Sequence, residues 1–550
     1  MLGILSFVGF TLLVAVISYL ATRKTDENSS DGYFLGGRSL TAGVIAGSLL
    51  LTNLSTEQIV GLNGQAYTEG ILVMAWETLA AMAMVVTAIF LLPRYLKGGL
   101  TTIPQFLATR FDVTTKTITS ALFLTGYVVV LLPIILYSGS VAISGMFKIP
   151  ELLNVTDTQA LWICVWGIGI IGSIYAVFGG LKAVAVSDSI NAIGLLLGGI
   201  LIPIFGLMAI GDGSVLEGIS VLTTEHPEKF DSTGGVTASV PFVTIFTGMM
   251  LVQLFYWGTN QQIIQRALGA KNLQEGQKGL LLASFIKILG PLIVVLPGII
   301  AYHMFQGGLD LPDQAYPALV NAVLPDYLIG FFAAVLFGAI LSSFNSVLNS
   351  SVTLFGLDIY KQHINQEASE RTVVKYGKIF GIILAIAAMF IAPLIANADS
   401  LFAYLQEVNG IYSIPILTII VVGFVTKRVP AIAAKIGIIS GSILYILSQF
   451  ILKPLLVGNA LEQAAVQGIT DAGELAVVEA EAYPHFLHVM AILFILNIAI
   501  MLVIGKLYPR KEAYLQEYTE QVDITPYKYV KQVGLAITAI VVGIYIYFAQ

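Results

Sequence analysis

The chain of 550 residues is 57% hydrophobic and only 11% charged, against a charged share of about 25% in soluble domains, which excludes a soluble globular protein. A formal net charge of -6 is small for this length and offers no basic surface for nucleic acid. A single cysteine, Cys164, excludes an internal disulfide. Apolar stretches of about 20 residues recur along the whole length, which predicts an all-α integral membrane protein in a lipid bilayer.

Fourteen candidate spans start near Leu2, Leu40, Ile71, Thr117, Leu161, Ala183, Val240, Gly279, Tyr327, Val374, Ser400, Ile432, Pro484 and Gln532. The first has no basic segment before it and no small-residue cleavage site after it, so it reads as a retained helix. Alternate loops separate the charges. Of 27 Lys and Arg residues, 23 fall in one set of loops, from Arg23, Lys24 and Arg38 to Lys531. The other set holds Lys148, Lys229 and Lys453, and Lys287 lies inside a span. Basic loops face the cytoplasm, so both termini are expected outside it, in a multi-pass plasma (inner) membrane protein.

The second span is interrupted. In LLLTNLSTEQIVGLNGQAY, residues 49–67, Asn53, Ser55, Thr56, Glu57, Gln58, Asn63 and Gln65 break an apolar run. An unpaired peptide group in hydrocarbon costs several kcal/mol, so such a segment lines a cavity or ligand, or packs as a polar helix inside a bundle. The third span carries Trp76 and Glu77, a carboxylate that needs a partner at that depth. Residues 98–111, GGLTTIPQFLATRF, read either as an amphipathic piece at the membrane surface or as an ordinary connector. Pro133 predicts a kink in the fourth span. Asp188 begins the sixth, either solvated at the interface or facing an ion.

The seventh span repeats the interruption in VQLFYWGTNQQIIQR, residues 252–266, with Gln253, Tyr256, Trp257, Asn260 and Gln261. Tyr256 and Trp257 sit about three turns from Arg266, deeper than an interfacial aromatic belt. Lys287 needs a counter-charge, for which Glu57 and Glu77 are candidates, or must snorkel to the interface. Residues 338–351, GAILSSFNSVLNSS, gather small polar side chains that either pack helices together or offer oxygens to a weakly held alkali cation. Gln406 and Glu407 follow in LFAYLQEVNGIYS. Five helices separate the starts of the two broken spans, so the second copy enters from the opposite face. The expected layout is therefore a five-plus-five inverted repeat over residues 40–426, with repeats 40–212 and 238–426. An extra helix and loop, 1–39, precede it and three helices, 427–550, follow. No HExxH, GxSxG or P-loop spacing occurs, and the five histidines fall mostly in loops or near span ends, so no enzyme is expected.

NLSTEQIVGLNG, YWGTNQQIIQRALGAKN, VVLPGIIAY after Lys287, LSSFNSVLNSSVTLFGLDIY and YLQEVNGIYS together resemble the sodium/solute symporter family, close to bacterial sodium/galactose symporters and sodium/glucose cotransporters. The resemblance implies a leucine-transporter-type fold and sodium-coupled import of a small neutral sugar by alternating access. It implies a sodium site from the carbonyls of Leu51, Leu54 and Ala339 and the hydroxyls of Ser342 and Ser343, with Asp188 nearby. It implies a sugar site from Gln58, Glu77, Gln253, Lys287 and Gln406 over the Tyr256 ring, a floor and inner gate, with Leu62, Trp76 and Phe402 as outer lid. A candidate second sodium would use Asp188, Asn345 and Ser346. The chain departs from the galactose transporters at Leu131, where they have asparagine, at Ala80, where they have serine, and at Gln253, where they have asparagine. Trp76 replaces a tyrosine. Inositol, proline, pantothenate and sialic acid are alternative solutes.

Overall fold

The computed structural model describes residues 2–22, 29–309, 311–395 and 401–549; among them no strand forms, and one isolated bridge pairs Leu40 with Ala270. Arg23, Lys24 and Ser400 lie outside the described residues, as does the side chain of Phe402. The chain opens with α1 (Leu2–Thr22), α2 (Ala42–Asn53), α3 (Thr56–Glu69) and α4 (Ala75–Val86). Next come α5 (Val113–Gly126), α6 (Leu132–Phe147), α7 (Asp157–Ile174) and α8 (Gly180–Ile210). A loop helix, α9 (Val215–Glu225), leads to α10 (Gly248–Gly258), α11 (Gln261–Leu268), α12 (Leu273–Lys287) and α13 (Leu296–Phe305). The long helices that follow are α14 (Asp326–Thr353), α15 (Glu370–Ile391), α16 (Leu401–Val425), α17 (Ala431–Leu447), α18 (Phe486–Leu507) and α19 (Val530–Phe548), with shorter ones at Ala315–Val323, Lys453–Val466 and Ala472–Ala482.

Ten helical stretches among the described residues are long and apolar enough to cross a membrane, and α12 with residues 290–305 makes an eleventh, bent by 48°. Fourteen spans were expected. The difference arises because the polar breaks cut the second and seventh spans into halves too short to cross alone, and the apolar part of α1 is short as well.

Local chemistry explains the joints. Pro133 lacks the N–H that would continue the ladder, and the helix loosens into a π-turn over Tyr127–Leu131 just before it. Gly180 joins α7 to α8 at φ +58°, with the Tyr33 carbonyl 3.1 Å from where a Cβ would stand. Close packing uses small residues: Gly47 of α2 abuts Ser189 of α8, Gly194 and Gly198 of α8 meet Val335 and Phe332 of α14, and Gly298 of α13 meets Asn63 of α3. Residues 98–111 form the helix Ile103–Arg110, with a Thr102/Gln105 capping box, and its Ile103, Phe106 and Leu107 are buried. It is a packed connector.

Several basic residues tie loop carbonyls together. Arg38 Nη2 donates to Gly99 O at 2.8 Å, and Arg510 Nη1 to Arg110 O at 3.1 Å. Arg110, expected in a loop, is buried and donates to the carbonyls of Gly423, Thr426 and Val429. Lys116 is buried too, 3.0 Å from Asp358. Elsewhere Lys229 donates to Tyr67 O at 3.2 Å, and Ser232 N to Phe548 O at 2.9 Å.

Candidate substrate and sodium site

Both expected breaks are present. The first lies at Leu54 (φ -75°, ψ 59°) and Ser55 (φ -90°, ψ 179°) between α2 and α3, the second at Thr259 and Asn260 between α10 and α11. The Asn260 side chain caps Gln262 N at 3.1 Å and accepts from the Tyr127 hydroxyl at 2.6 Å, which holds the second break open. Where the first broken helix begins, the second ends: Leu40 N donates to Gly269 O at 3.1 Å and Lys271 N to Leu40 O at 3.0 Å. The start of the first broken helix is thus held against the end of the second.

A polar chain crosses the first break. Asn53 Nδ2 donates to Gln58 Oε1 at 3.0 Å, Gln58 Nε2 donates to Glu77 Oε1 at 2.6 Å, and Lys287 Nζ donates to Glu77 Oε2. Glu77 and Lys287 are fully buried, so the lysine does not snorkel; Glu77, rather than Glu57, is its partner. A buried pair of this kind is tolerable only when its remaining valences are met, and Gln58 meets one. Gly290 makes room, because a Cβ there would stand 2.2 Å from Glu77 Oε2. Gln253 Nε2 donates to the Trp76 carbonyl at 2.9 Å, which joins α10 to α4 beside this cluster. The Tyr256 ring stands edge-on to Trp257, centroids 5.3 Å apart, and Lys287 Nζ lies 5.8 Å from the Trp257 centroid.

Leu62 and Trp76 are both buried in one apolar cluster. Gln406 is half-buried on α16, and no described interaction joins it to Glu77; its neighbour Glu407 holds Lys453 at 3.0 Å.

The serine run of α14 faces the end of α2. Ser343 Oγ donates to Thr52 O at 3.0 Å, and Thr52 Oγ1 lies 3.5 Å from Ser342 Oγ and 3.2 Å from Ser346 Oγ. The last carbonyls of a helix lack intrahelical donors, and at the broken end of α2 the Thr52 carbonyl meets the Ser343 hydroxyl, with Leu51, Leu54 and, on the preceding turn of α14, Ala339 all buried. Uncharged oxygens from carbonyls and hydroxyls suit a weakly held alkali cation.

Asp188 is buried and accepts from Ser48 Oγ at 2.7 Å, so of its two readings the solvated interface is excluded. Its charge partner is Arg266, 3.9 Å away, whose guanidinium donates to Ser48 Oγ at 3.0 Å and also to Ser346 Oγ. Asn345 Oδ1 accepts no hydrogen bond. Ser48, Thr52 and Arg266 were not read from sequence as site residues. Arg266 counted as a loop cation because it ends an apolar run, and only its zero exposure reveals its place.

Known proteins resemble this chain along most of its length. The sodium:solute symporter family model matches residues 33–441. A relative named "uncharacterized symporter YidK" from Escherichia coli (strain K12) is 48% identical over 552 residues, covering 100% of this chain and 91% of that protein. The sodium/glucose cotransporter of Vibrio parahaemolyticus is 31% identical, covering 80% and 84%, and the human sodium/myo-inositol cotransporter 2 is 28% identical, covering 79% and 68%. A Na+-coupled sialic acid symporter in a substrate-bound outward-open state superposes with a TM-score of 0.69 at 19% identity, covering 90% and 98%. The nucleobase-cation-symport-1 family transporter MHP1 gives 0.53 at 13%, covering 86% and 95%. With the family model matched over most of its length and a relative 31% identical over 80% of it, this chain belongs to the sodium:solute symporter family.

Proposed function

We propose that this sodium-coupled symporter imports a small neutral polyol, a hexose of the galactose or glucose type, bound by Gln58, Glu77, Gln253, Lys287 and Gln406 above Tyr256. The observation that carries the reading is the buried Lys287–Glu77 pair with Gln58 attached. Sugar hydroxyls donate and accept, and this cluster offers both roles within one network. A carboxylate substrate such as proline, pantothenate or sialic acid would need a free cation, and Lys287 is already neutralised by Glu77. Inositol presents the same hydroxyl chemistry as a hexose, so only measurement separates them.

Sodium would sit among the carbonyls of Leu51, Leu54 and Ala339 and the hydroxyls of Ser342 and Ser343, tying α2 to α14 in the form that accepts sugar. Each inward positive charge adds about 2.3 kcal/mol per 100 mV to the driving force. For Asp188, Asn345 and Ser346 the favoured reading is a charge network completed by Arg266, with one sodium per sugar. Leu62, Trp76 and Phe402 would form the outer lid. The layout proposed is fourteen spans, with a five-plus-five inverted repeat over 40–426. The pairing of Leu40 with Ala270 supports it. Both termini are proposed outside the cytoplasm, in the plasma membrane. In support, Phe548 contacts the Lys229-side loop through Ser232, and Phe10 of α1 packs on Phe331 near the start of α14.

The test is uptake of galactose, glucose, myo-inositol and proline into proteoliposomes, with and without a sodium gradient. Sodium-dependent uptake of one polyol, lost in Gln406→Ala and Lys287→Ala, is expected. Uptake of proline alone would overturn the sugar assignment and leave sodium coupling standing.

A further inference from the structure

Two of the five histidines, 77 residues apart in sequence, meet near Lys229. His226 ends α9 and His303 lies in the last turn of α13. Their nearest nitrogens, His226 Nε2 and His303 Nδ1, are 3.2 Å apart, and His303 Nδ1 is 3.5 Å from Glu225 Oε2. All three ligand atoms lie within 4.8 Å of one another. In a tetrahedral zinc centre with bonds of about 2.0 to 2.1 Å, neighbouring ligand atoms stand about 3.3 Å apart. Two edges of that figure are already present. On its other side, His226 Nδ1 faces Glu228 Oε1 at 3.6 Å, the place of the outer carboxylate that orients a metal-bound imidazole. Two imidazoles and one carboxylate select zinc, nickel or copper over magnesium or calcium.

We propose that Glu225, His226 and His303 form a binding site for a zinc-class divalent cation, with water in the fourth position, which clamps the loop carrying α9 to the end of α13. The clamp reaches the transport helices. Three residues beyond His226, Lys229 stands 3.9 Å from the Tyr302 ring centroid and donates to the Tyr67 carbonyl in the last turns of α3. A cation here holds α9, α13 and the outer half of the broken helix as one body.

The test is calorimetric titration of zinc chloride into the purified full chain in detergent, with magnesium chloride as control, and hydrogen exchange read over residues 212–238 and 296–308. One zinc per chain is expected, with no magnesium heat and slower exchange in both segments. His226→Ala and His303→Ala should each weaken binding roughly tenfold or more. Glu225→Gln, an exposed change that leaves the fold alone, should weaken it measurably, and His363→Ala should not. No zinc binding by the natural chain, or binding unchanged in Glu225→Gln and His303→Ala, would overturn the proposal. Because binding and exchange are read without transport, failure here leaves the sugar assignment untouched.

Discussion

The Ser343 hydroxyl donates to the Thr52 carbonyl over 3.0 Å, joining the middle of α14 to the broken end of α2. The same hydroxyl is a proposed sodium ligand, so filling the site would turn its lone pairs toward the ion and replace one link between these helices with a stronger one. Ser343→Ala removes that oxygen. It should raise the sodium concentration for half-maximal uptake by roughly 5- to 150-fold, equivalent to about 1 to 3 kcal/mol, with less effect on sugar affinity at saturating sodium. Sodium titration of uptake checks this; an unchanged midpoint would remove Ser343 from the site.

Glu77 and Lys287 should behave as a unit. Deleting one charge of a buried pair typically costs about 3 to 5 kcal/mol, because the other is left uncompensated. Glu77→Gln and Lys287→Met alone should therefore lower thermal stability in detergent markedly. The double variant should recover most of it, since both charges are gone, yet still fail to take up sugar. Recovery of transport in the double variant would show that the pair is structural and that the solute binds elsewhere.

Arg266 sets the expected stoichiometry. Its guanidinium already donates to Ser346 and lies 3.9 Å from Asp188, so a second sodium there would meet a resident positive charge. Current and labelled uptake measured together in oocytes or vesicles should give one charge per sugar, with a Hill coefficient for sodium near one. Two charges per sugar would mean that Arg266 swings away and that Asp188, Asn345 and Ser346 hold a second ion.

Gly298 should tolerate no side chain. A Cβ there would fall 2.2 Å from the Asn63 carbonyl, and backbone cannot yield as a flexible side chain can. Gly298→Ala must push α13 off α3 and break the bond of Gly298 N to Asn63 Oδ1, now 2.9 Å. A loss of about 1 to 3 kcal/mol is expected, read as a lower melting temperature together with slower uptake. Gly307→Ala, with open space around it at φ +73°, is the control for backbone strain without collision.

The two breaks were legible because polar residues inside apolar runs have no cheap explanation in hydrocarbon, and Lys287 announced a missing counter-charge for the same reason. Sequence narrowed that partner to Glu57 or Glu77, but choosing between them needed the fold. Ser48 and Thr52 looked like ordinary small residues of a membrane helix. Arg266 looked like a loop cation because it ends an apolar stretch, and Arg110 because it lies in residues 98–111, read as a surface piece or connector. Their roles depend on helices tens to hundreds of residues away, and no local pattern encodes those contacts. The meeting of His226 with His303 was hidden for the same reason.

Asp313 gives a pH test on the Lys229 side. It sits in the loop between α13 and α14, with its Oδ1 2.8 Å from where a Cβ of Gly64 in α3 would stand. Burial pushes its carboxyl up from 3.8 to about 6. A raised acid pKa means the docked loop holds its proton more tightly than the undocked chain. Docking is therefore strongest below about pH 4, weakens as pH climbs through 4 to 6, and reaches its full penalty above that. Hydrogen exchange over residues 306–314 should speed up from pH 4.5 to 7 beyond the intrinsic pH effect. Asp313→Asn, which carries no charge, should keep the loop as protected at pH 7 as the natural chain is at low pH. Equal pH dependence in the two proteins would show that Asp313 ionises as freely docked as undocked.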